Sequence, residues 1–160
     1  MDNHKIRVEP ASESDIPLLL TFIKDLAAYE ELLDHINVTE ERLRETLFGA
    51  NPRANAVIAY CDNVPVAFAV YFFNVSTFDG RPGLYIEDIF VRPAFRKAGI
   101  GRILFTFLSR KALDEGCSRI ELSVLDWNEQ AIQFYQKLGG EPVNGWTVFR
   151  FSEQAMRDLI

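Results

Sequence analysis

The sequence predicts an α/β protein whose mixed central β-sheet is flanked by helices. Apolar segments with the alternation or the β-branched content of strands recur along the chain, and segments with apolar residues at helical spacing separate them. The second half contains a strand, a helix and a strand in succession, which is typical of two parallel strands joined by a right-handed crossover. Two earlier strands are separated only by a tight turn, so part of the sheet is expected to be antiparallel.

One strand and two helices are predicted in the first third of the chain. Alternation over residues 5–9 indicates a strand, which Pro10 ends. Apolar residues recur at helical spacing over 16–29, and the polar residues just before this segment are suited to cap a helix. A second helix is expected to begin after Thr39 and to continue towards Gly49.

The middle of the chain predicts three strands. The segments 56–61 and 64–73 are rich in Val, Phe and Tyr, and the Asp-Asn step between them indicates a tight hairpin turn. A loop is expected over 74–83, because this segment contains Gly and Pro. The segment 84–91 is strongly apolar apart from two adjacent carboxylates, so it is expected to be a central strand.

The last third predicts two helices and two further strands. A helix is expected over 99–115, with Gly116 as a suitable residue to end it. A strand at 120–124 and a helix at 128–138 follow. The β-branched and aromatic residues of 143–151 indicate a last strand or hairpin.

Length and composition indicate a single domain over residues 1–160, since this chain of 160 residues can bury one full core. The formal net charge of -6 disfavours binding to nucleic acid, whose phosphates attract Lys and Arg. No stretch approaches the roughly 20 apolar residues that cross a bilayer, and no signal peptide is recognised, so we expect a cytoplasmic protein without a membrane partner. Cys61 and Cys117 are expected to be buried free thiols.

Several common chemistries find no support in the sequence. The chain has only His4 and His35, so neither a histidine-centred triad nor a metal site is predicted. The Gly99-Ile100-Gly101 step is not a dinucleotide fingerprint, because Leu104 stands where the third glycine would be.

The turn before the helix at 99–115 is suited to bind an anion. A glycine turn that opens into a helix directs unpaired backbone N–H groups and the positive end of the helix dipole to one place, which suits a pyrophosphate. Arg96, Lys97 and Arg102 add three cations to this turn of an otherwise acidic chain. The alternative is an ordinary glycine turn with solvated basic side chains, and the residues alone leave both open.

The same turn resembles a known signature. The sequence Arg-Lys-Ala-Gly-Ile-Gly at 96–101 resembles the acetyl-CoA signature of the GNAT superfamily, and it follows an apolar strand, as it does there. The segment 128–139 resembles the asparagine-then-tyrosine helix of that superfamily. The segments 26–30, 85–91 and 127–129 resemble the diamine (spermidine/spermine) acetyltransferase branch, so the similarity covers nearly the whole chain.

This resemblance implies the GNAT fold, acetyl-CoA as cosubstrate, no metal, and N-acetyltransferase activity. It implies a homodimer that completes the amine site across the interface. Backbone N–H groups at the end of the apolar strand would stabilise the oxyanion of the reaction. The residues that it assigns to acetyl-CoA are Ile89, Phe90, Val91, Arg96, Lys97, Ala98, Gly99, Ile100, Gly101, Arg102, Asn128 and Tyr135.

The resemblance also assigns the amine site and the proton transfers. It places Tyr29, Glu30, Glu87 and Asp88 at the substrate, with Glu87 holding the ammonium group and accepting its proton through water. Tyr135 would protonate the departing CoA thiolate. Residues 87 and 88 are adjacent on a strand, so their side chains should point to opposite faces unless a bulge intervenes.

The substrate is open at this stage. The loop at 74–83 has Ser76, Thr77 and Phe78 where polyamine enzymes of the branch have an acidic residue and a tryptophan. The substrate could therefore be a diamine, a polyamine, or an amino acid such as thialysine or ornithine. The alternatives are a GNAT enzyme that acetylates a protein amine and a non-catalytic sensor of acetyl-CoA. The acidic residues favour a small cation, and the presence of Glu87 and Tyr135 favours catalysis.

Overall fold

A computed structural model describes residues 5–160 of the chain, including the side chains. The described chain divides into two compact units. The first extends to Leu125 and contains the sheet, and the second comprises Asp126–Ile160. No helix within residues 5–160 is long and apolar enough to cross a membrane.

The first unit is built on a five-stranded sheet with the order β1-β2-β3-β4-β5. The first four strands pair antiparallel, and β4 and β5 pair parallel, so the prediction of a mixed sheet is confirmed. The strands are β1 at Ile6–Pro10, β2 at Asn55–Cys61, β3 at Val64–Ser76, β4 at Arg81–Val91 and β5 at Ile120–Leu122.

Helices cover both faces of this sheet. The first unit has α1 at Ile16–Tyr29, α2 at Glu40–Phe48 and α3 at Ile100–Asp114, and three short 3-10 turns lie at 13–15, 33–35 and 93–95. The predicted start of α2 is confirmed, because the Thr39 hydroxyl accepts a hydrogen bond of 3.3 Å from the Arg42 amide. Helix α3 provides the crossover from β4 to β5.

Strand β2 shows how the sheet separates two cores. Val57 and Ala59 face α3 and pack with Ile100, Leu104 and Leu108. The alternate residues of β2 face the opposite side, where Ile58 and Phe68 pack with α1 and α2. On that side the Phe22 and Phe68 rings stack with centroids 5.2 Å apart. Cys61 and Cys117 are buried free thiols, as predicted.

The loop predicted over 74–83 is wrong. Strand β3 continues to Ser76 and β4 begins at Arg81, and these two residues are paired. Only 77–80 form the turn, in which the Ser76 hydroxyl accepts a 3.2 Å hydrogen bond from the Asp79 amide. The two glycines and the proline of this segment are accommodated because they lie near the turn of a long hairpin.

The last strand or hairpin predicted at 143–151 is also wrong. In the described chain these residues pair with no strand, and the second unit consists of α4 at Glu129–Lys137 and α5 at Glu153–Arg157. β-branched and aromatic residues report only how well a segment fits a pleated surface, and a strand also needs a partner. Helix α5 was not predicted, although Ser152 caps it through a 3.1 Å bond from the Ala155 amide.

Candidate active site

Strand β4 contains a β-bulge at Glu87. Tyr71 of β3 pairs with Ile86, and the preceding residue Val70 pairs with Asp88. Glu87 is therefore an extra residue with no partner across the ladder. Such a bulge changes the phase of the strand, so that side chains beyond it exchange faces.

The bulge brings both carboxylates to the same face. Ile86 packs in the α3 core before the bulge, and Ile89 packs in that core after it. Phe90 packs on the opposite face, towards α1 and α2. Glu87 and Asp88 lie between these positions, and both side chains line one cavity on the α2 side of the sheet. The condition stated for these two residues is met, because a bulge does intervene.

This cavity has a volume of about 460 Å³, within the range of small-molecule sites. Helix α2 and the strands β3 and β4 form most of its wall. Its lining consists of Ile23, Val38, Arg42, Leu43, Thr46, Leu47, Arg53, Ala54, Val70, Phe72, Glu87 and Asp88.

The pKa of the Asp88 carboxyl group is raised in the folded protein. This pKa is raised to about 6, chiefly by burial and also by the negative charges of Glu87 and Glu30. Burial also raises the pKa of Glu30, at the C-terminal end of α1. Three carboxylates thus influence one region, and a bound cation would relieve the repulsion among them.

Arg96 joins this region to the turn before α3. Its Nε donates a 2.9 Å hydrogen bond to the carbonyl of Val91, and its guanidinium carbon lies 4.2 Å from the centre of the Tyr29 ring. The Phe90 ring centre is 5.4 Å away. Two of the predicted site residues are therefore in direct contact, as a cation over an aromatic face.

The C-terminal half of β4 has an open edge. Strand β5 pairs with β4 only over Leu84–Ile86, so on this side the last residues of β4 have no strand partner in the described chain. The Arg92 amide donates to a β3 carbonyl at 2.9 Å, and alternate residues of an antiparallel ladder bond to the neighbouring strand. Phe90 therefore bonds towards β3, whereas the N–H groups of Ile89 and Val91 point to the open edge.

The turn before α3 has the geometry of an anion site. Lys97 and Gly99 have φ angles of 66° and 80°, in the left-handed region, and Gly99 is the residue that precedes the helix. A side chain built at Gly99 would meet no atom within 4 Å, so the space above the turn is open. The first amides of α3 have no partner within the helix and face this space.

The side chains around this turn differ in their exposure to solvent. Lys97 and Arg102 are exposed cations, which suits contact with phosphate groups. Ile100 is buried in the α3 core, so it can offer only its backbone. These residues fit the pyrophosphate of a CoA nucleotide.

Two of the predicted acetyl-CoA residues, Asn128 and Tyr135, lie in the second unit. The side-chain oxygen of Asn128 accepts a 3.2 Å hydrogen bond from the Ala131 amide, so Asn128 caps α4. Tyr135 lies on α4, and its ring meets the Phe134 ring edge-on with centroids 5.4 Å apart. No group of three or more His, Cys, Asp or Glu side chains among residues 5–160 has the arrangement of a metal site.

Sequence reasoning missed Arg42 and Arg53 at the cavity. Arg42 lies in the first turns of α2 and Arg53 lies in the segment before β2. Both are exposed and charged, as most surface arginines are, so neither differs locally from a solvated side chain. Their position at the cavity depends on the packing of α2 against the sheet, for which the sequence gives no local sign.

Comparisons with known proteins agree with this geometry. The acetyltransferase (GNAT) family matches residues 23–140 of the chain. The thialysine N-epsilon-acetyltransferase of Bos taurus is 38% identical over 165 residues, which cover 96% of this chain and 96% of that protein. The L-ornithine N5-acetyltransferase of Arabidopsis thaliana is 26% identical and covers 96% of this chain and 87% of its own.

A solved aminoglycoside N-acetyltransferase in complex with CoA has the same fold. It superposes with a TM-score of 0.74 at 19% identity, over 93% of this chain and 96% of that one. The fold and the family match define an acyltransferase. The chain belongs to the acetyltransferase (GNAT) family and is an N-acetyltransferase.

Proposed function

We propose that this N-acetyltransferase acts on the primary amine of a small cationic substrate, in the class of diamines, polyamines and thialysine- or ornithine-like amino acids. One observation carries the proposal. The bulge in β4 directs two carboxylates into a single cavity of small-molecule size, and one of them is largely desolvated. An ammonium group is the partner that such a pair binds most favourably.

Acetyl-CoA is the proposed cosubstrate, and it supplies an acetyl group activated as a thioester. The turn from Arg96 to Arg102 would hold its pyrophosphate through backbone amides and cations. The N–H groups of Ile89 and Val91 are free to donate along the open edge of β4, where they would stabilise negative charge on the acetyl oxygen.

Glu87 and Asp88 are the proposed proton acceptors. A lysine-type amine has a pKa of about 10.4, so it arrives protonated and must lose a proton before it attacks. Glu87 is exposed at the cavity and can hold the ammonium group and pass its proton to water. Asp88 is a stronger base than an ordinary aspartate, because its pKa is raised to about 6. Tyr29 and Glu30, at the end of α1, complete the proposed amine site.

Tyr135 is the proposed acid that protonates the departing thiolate, and Asn128 is proposed to contact acetyl-CoA besides capping α4. A phenol with a pKa near 10 is protonated at neutral pH and can donate its proton. Both assignments rest on the match of the 128–139 segment to the family pattern.

A panel of amines assayed with acetyl-CoA by thiol release tests this function. We expect release with at least one diamine or basic amino acid, and a much lower rate with Glu87→Gln at the same acetyl-CoA concentration. Unchanged kinetics of Glu87→Gln with every active amine would remove Glu87 from the site. Thiol release only with a protein or peptide amine would support the macromolecular alternative and contradict the small-substrate proposal.

We also propose that the protein is a homodimer. The C-terminal segment exposes a series of large apolar side chains, among them Trp146 at 79%, Val148 at 87% and Phe149 at 82% exposure. An exposed apolar segment of this kind is typical of an interaction surface, and a second copy of the chain would cover it. Light scattering at assay concentration tests the proposal, and a monomer mass there would contradict it.

The chain is further proposed to form one domain in the cytoplasm. Two free buried thiols are compatible with a reducing compartment. A single cooperative unfolding transition, followed by probes in each unit, would support one domain, whereas two separated transitions would contradict it. Cell fractionation tests the compartment.

A further inference from the structure

The cavity that contains Glu87 and Asp88 also carries positive charge at a different part of its wall. Arg42 projects from α2 and Arg53 lies just before β2, and both line this cavity. The cavity thus combines two carboxylates from β4 with two guanidinium groups from the α2 side. The two guanidinium groups would not contribute to the binding of a simple cation.

The two arginines are available for a ligand. Within residues 5–160, neither Arg42 nor Arg53 forms an ion pair or donates a side-chain hydrogen bond. Arg44 on the same helix differs, because its Nε lies 3.1 Å from a Glu13 carboxylate oxygen and it does not line the cavity. Helix α2 therefore carries one arginine used within the fold and one that faces the cavity unpaired.

We propose that Arg42 and Arg53 bind the α-carboxylate of an amino-acid substrate whose side-chain amine is held by Glu87 and Asp88. This inference rests on the proposed function and narrows it to one substrate class. Guanidinium groups bind carboxylates through paired N–H donors, and the planar group matches the two carboxylate oxygens. The volume of about 460 Å³ holds a molecule of this size with water beside it.

A diamine fits the same charges less well. Its first ammonium group would be held by Glu87 and Asp88, as in the amino acid. Its second ammonium group would lie on the same side of the cavity as two guanidinium groups, and like charges repel. An amino acid has its α-ammonium group there too, but a carboxylate on the same carbon can pair with the guanidinium groups. The arginines should therefore favour amino acids, because attraction of the carboxylate offsets a repulsion that a diamine meets without compensation.

Ornithine and 1,4-diaminobutane are a matched pair for the test, since they differ only by the carboxylate. We expect kcat/KM to be at least about 10-fold higher for ornithine than for the diamine. Only ornithine has a carboxylate that can form a charge-assisted hydrogen bond with the arginines. Ornithine methyl ester, with the same skeleton and no negative charge, should behave like the diamine. Initial rates at saturating acetyl-CoA give these ratios.

The variants Arg42→Gln and Arg53→Gln, singly and together, test the residues. We expect kcat/KM for ornithine to fall and that for the diamine to rise, so that the ratio between them approaches one in the double variant. The control is Arg44→Gln, which removes one positive charge from α2 away from the cavity and should keep the ratio of the parent. Circular dichroism confirms that each variant is folded.

The outcomes separate this inference from the proposed function. If none of the small amines supported thiol release, the proposed function itself would be contradicted. Release with equal kcat/KM for ornithine, its ester and the diamine would leave the function standing and overturn the carboxylate site. An equal loss for ornithine and the diamine in Arg42→Gln and Arg53→Gln would also overturn it, because a structural effect does not distinguish the two substrates.

Discussion

The guanidinium carbon of Arg96 lies 4.2 Å from the centre of the Tyr29 ring, so the end of α1 is in contact with the turn that begins α3. Tyr29 belongs to the proposed amine site and Arg96 to the proposed acetyl-CoA site. The contact gives the two binding regions a shared wall. A hydrogen bond from Arg96 Nε to the Val91 carbonyl further limits the directions in which the Arg96 side chain can point.

Replacing Tyr29 tests whether this ring positions Arg96. Tyr29→Phe keeps an aromatic face under the guanidinium group, and Tyr29→Leu removes it. A cation over an aromatic ring contributes about 0.5–1 kcal/mol at an exposed site, so we expect Tyr29→Leu to raise KM for acetyl-CoA by about 2- to 5-fold. Tyr29→Phe should leave that KM near the value of the parent. An equal rise in both variants would assign the effect to the hydroxyl group and contradict a role for the ring.

Gly99 and Gly116 flank α3 and provide a controlled test of the anion site. Both have positive φ angles, 80° and 73°, and neither has an atom within 4 Å of an added Cβ. Alanine at either position should therefore lower the free energy of unfolding by a similar amount, about 1–2 kcal/mol. Only Gly99→Ala should weaken acetyl-CoA binding, because only its Cβ lies above the turn. Calorimetry measures both affinities, and equal affinities would exclude the turn as the cofactor site.

Asp88 should make stability depend on pH. Its pKa is raised in the folded protein to about 6, so the folded state binds a proton more readily than the unfolded state. The contribution of protonated Asp88 to the free energy of unfolding is fully present below its ordinary pKa of 3.8. This contribution is lost as the pH rises towards about 6. Over that window the parent should lose about 2–3 kcal/mol relative to Asp88→Asn, which does not titrate.

Thermal melts at pH 4, 5, 6 and 7 measure this difference. The melting temperature of Asp88→Asn should gain on that of the parent as the pH rises. Asp114→Asn, which removes an exposed carboxylate at the end of α3, corrects for the loss of one negative charge. A constant difference between Asp88→Asn and the parent across these pH values would mean that Asp88 titrates as an ordinary aspartate.

Tyr135→Phe deletes one hydroxyl group and leaves the ring to pack against Phe134. General acid catalysis contributes about 10²–10⁴-fold, so kcat should fall by at least about 100-fold if protonation of the thiolate limits the rate. Affinity for acetyl-CoA should change little. Pre-steady-state kinetics identify the limiting step. Full activity across the pH range, with chemistry limiting, would return Tyr135 to a packing role.

The sequence predicts most of the fold because its elements are marked locally. Helix α3 has an apolar stripe and a glycine at each end, and the hairpin of β2 and β3 has a two-residue turn between two apolar runs. The segment 143–151 shows the limit of such reasoning. Its residues suit a strand, but whether a strand forms depends on a partner elsewhere, which composition does not specify.

The candidate site also has one part that the sequence predicts and another that it does not. The turn at 96–101 could be found from the sequence, because glycines and cations at a helix start have a recognisable spacing. The shared face of Glu87 and Asp88 could be stated only as an exception to strand alternation, since a bulge is defined by pairing with β3. Arg42 and Arg53 meet the carboxylates only through the packing of α2, so no spacing along the chain relates them.

The extra residue in β4 contributes to the cavity and to neither core. Removing Glu87 would restore regular pairing with β3, because Ile86 and Asp88 already pair with consecutive residues of that strand. Ile86 would stay in the α3 core and Phe90 would stay on the α1 side, each beside its present partner on β3. Both cores would thus tolerate a strand one residue shorter, and the loss would fall on the cavity, which would keep Asp88 as its single carboxylate from β4. Homologous chains that lack the bulge should align with a one-residue gap at this position.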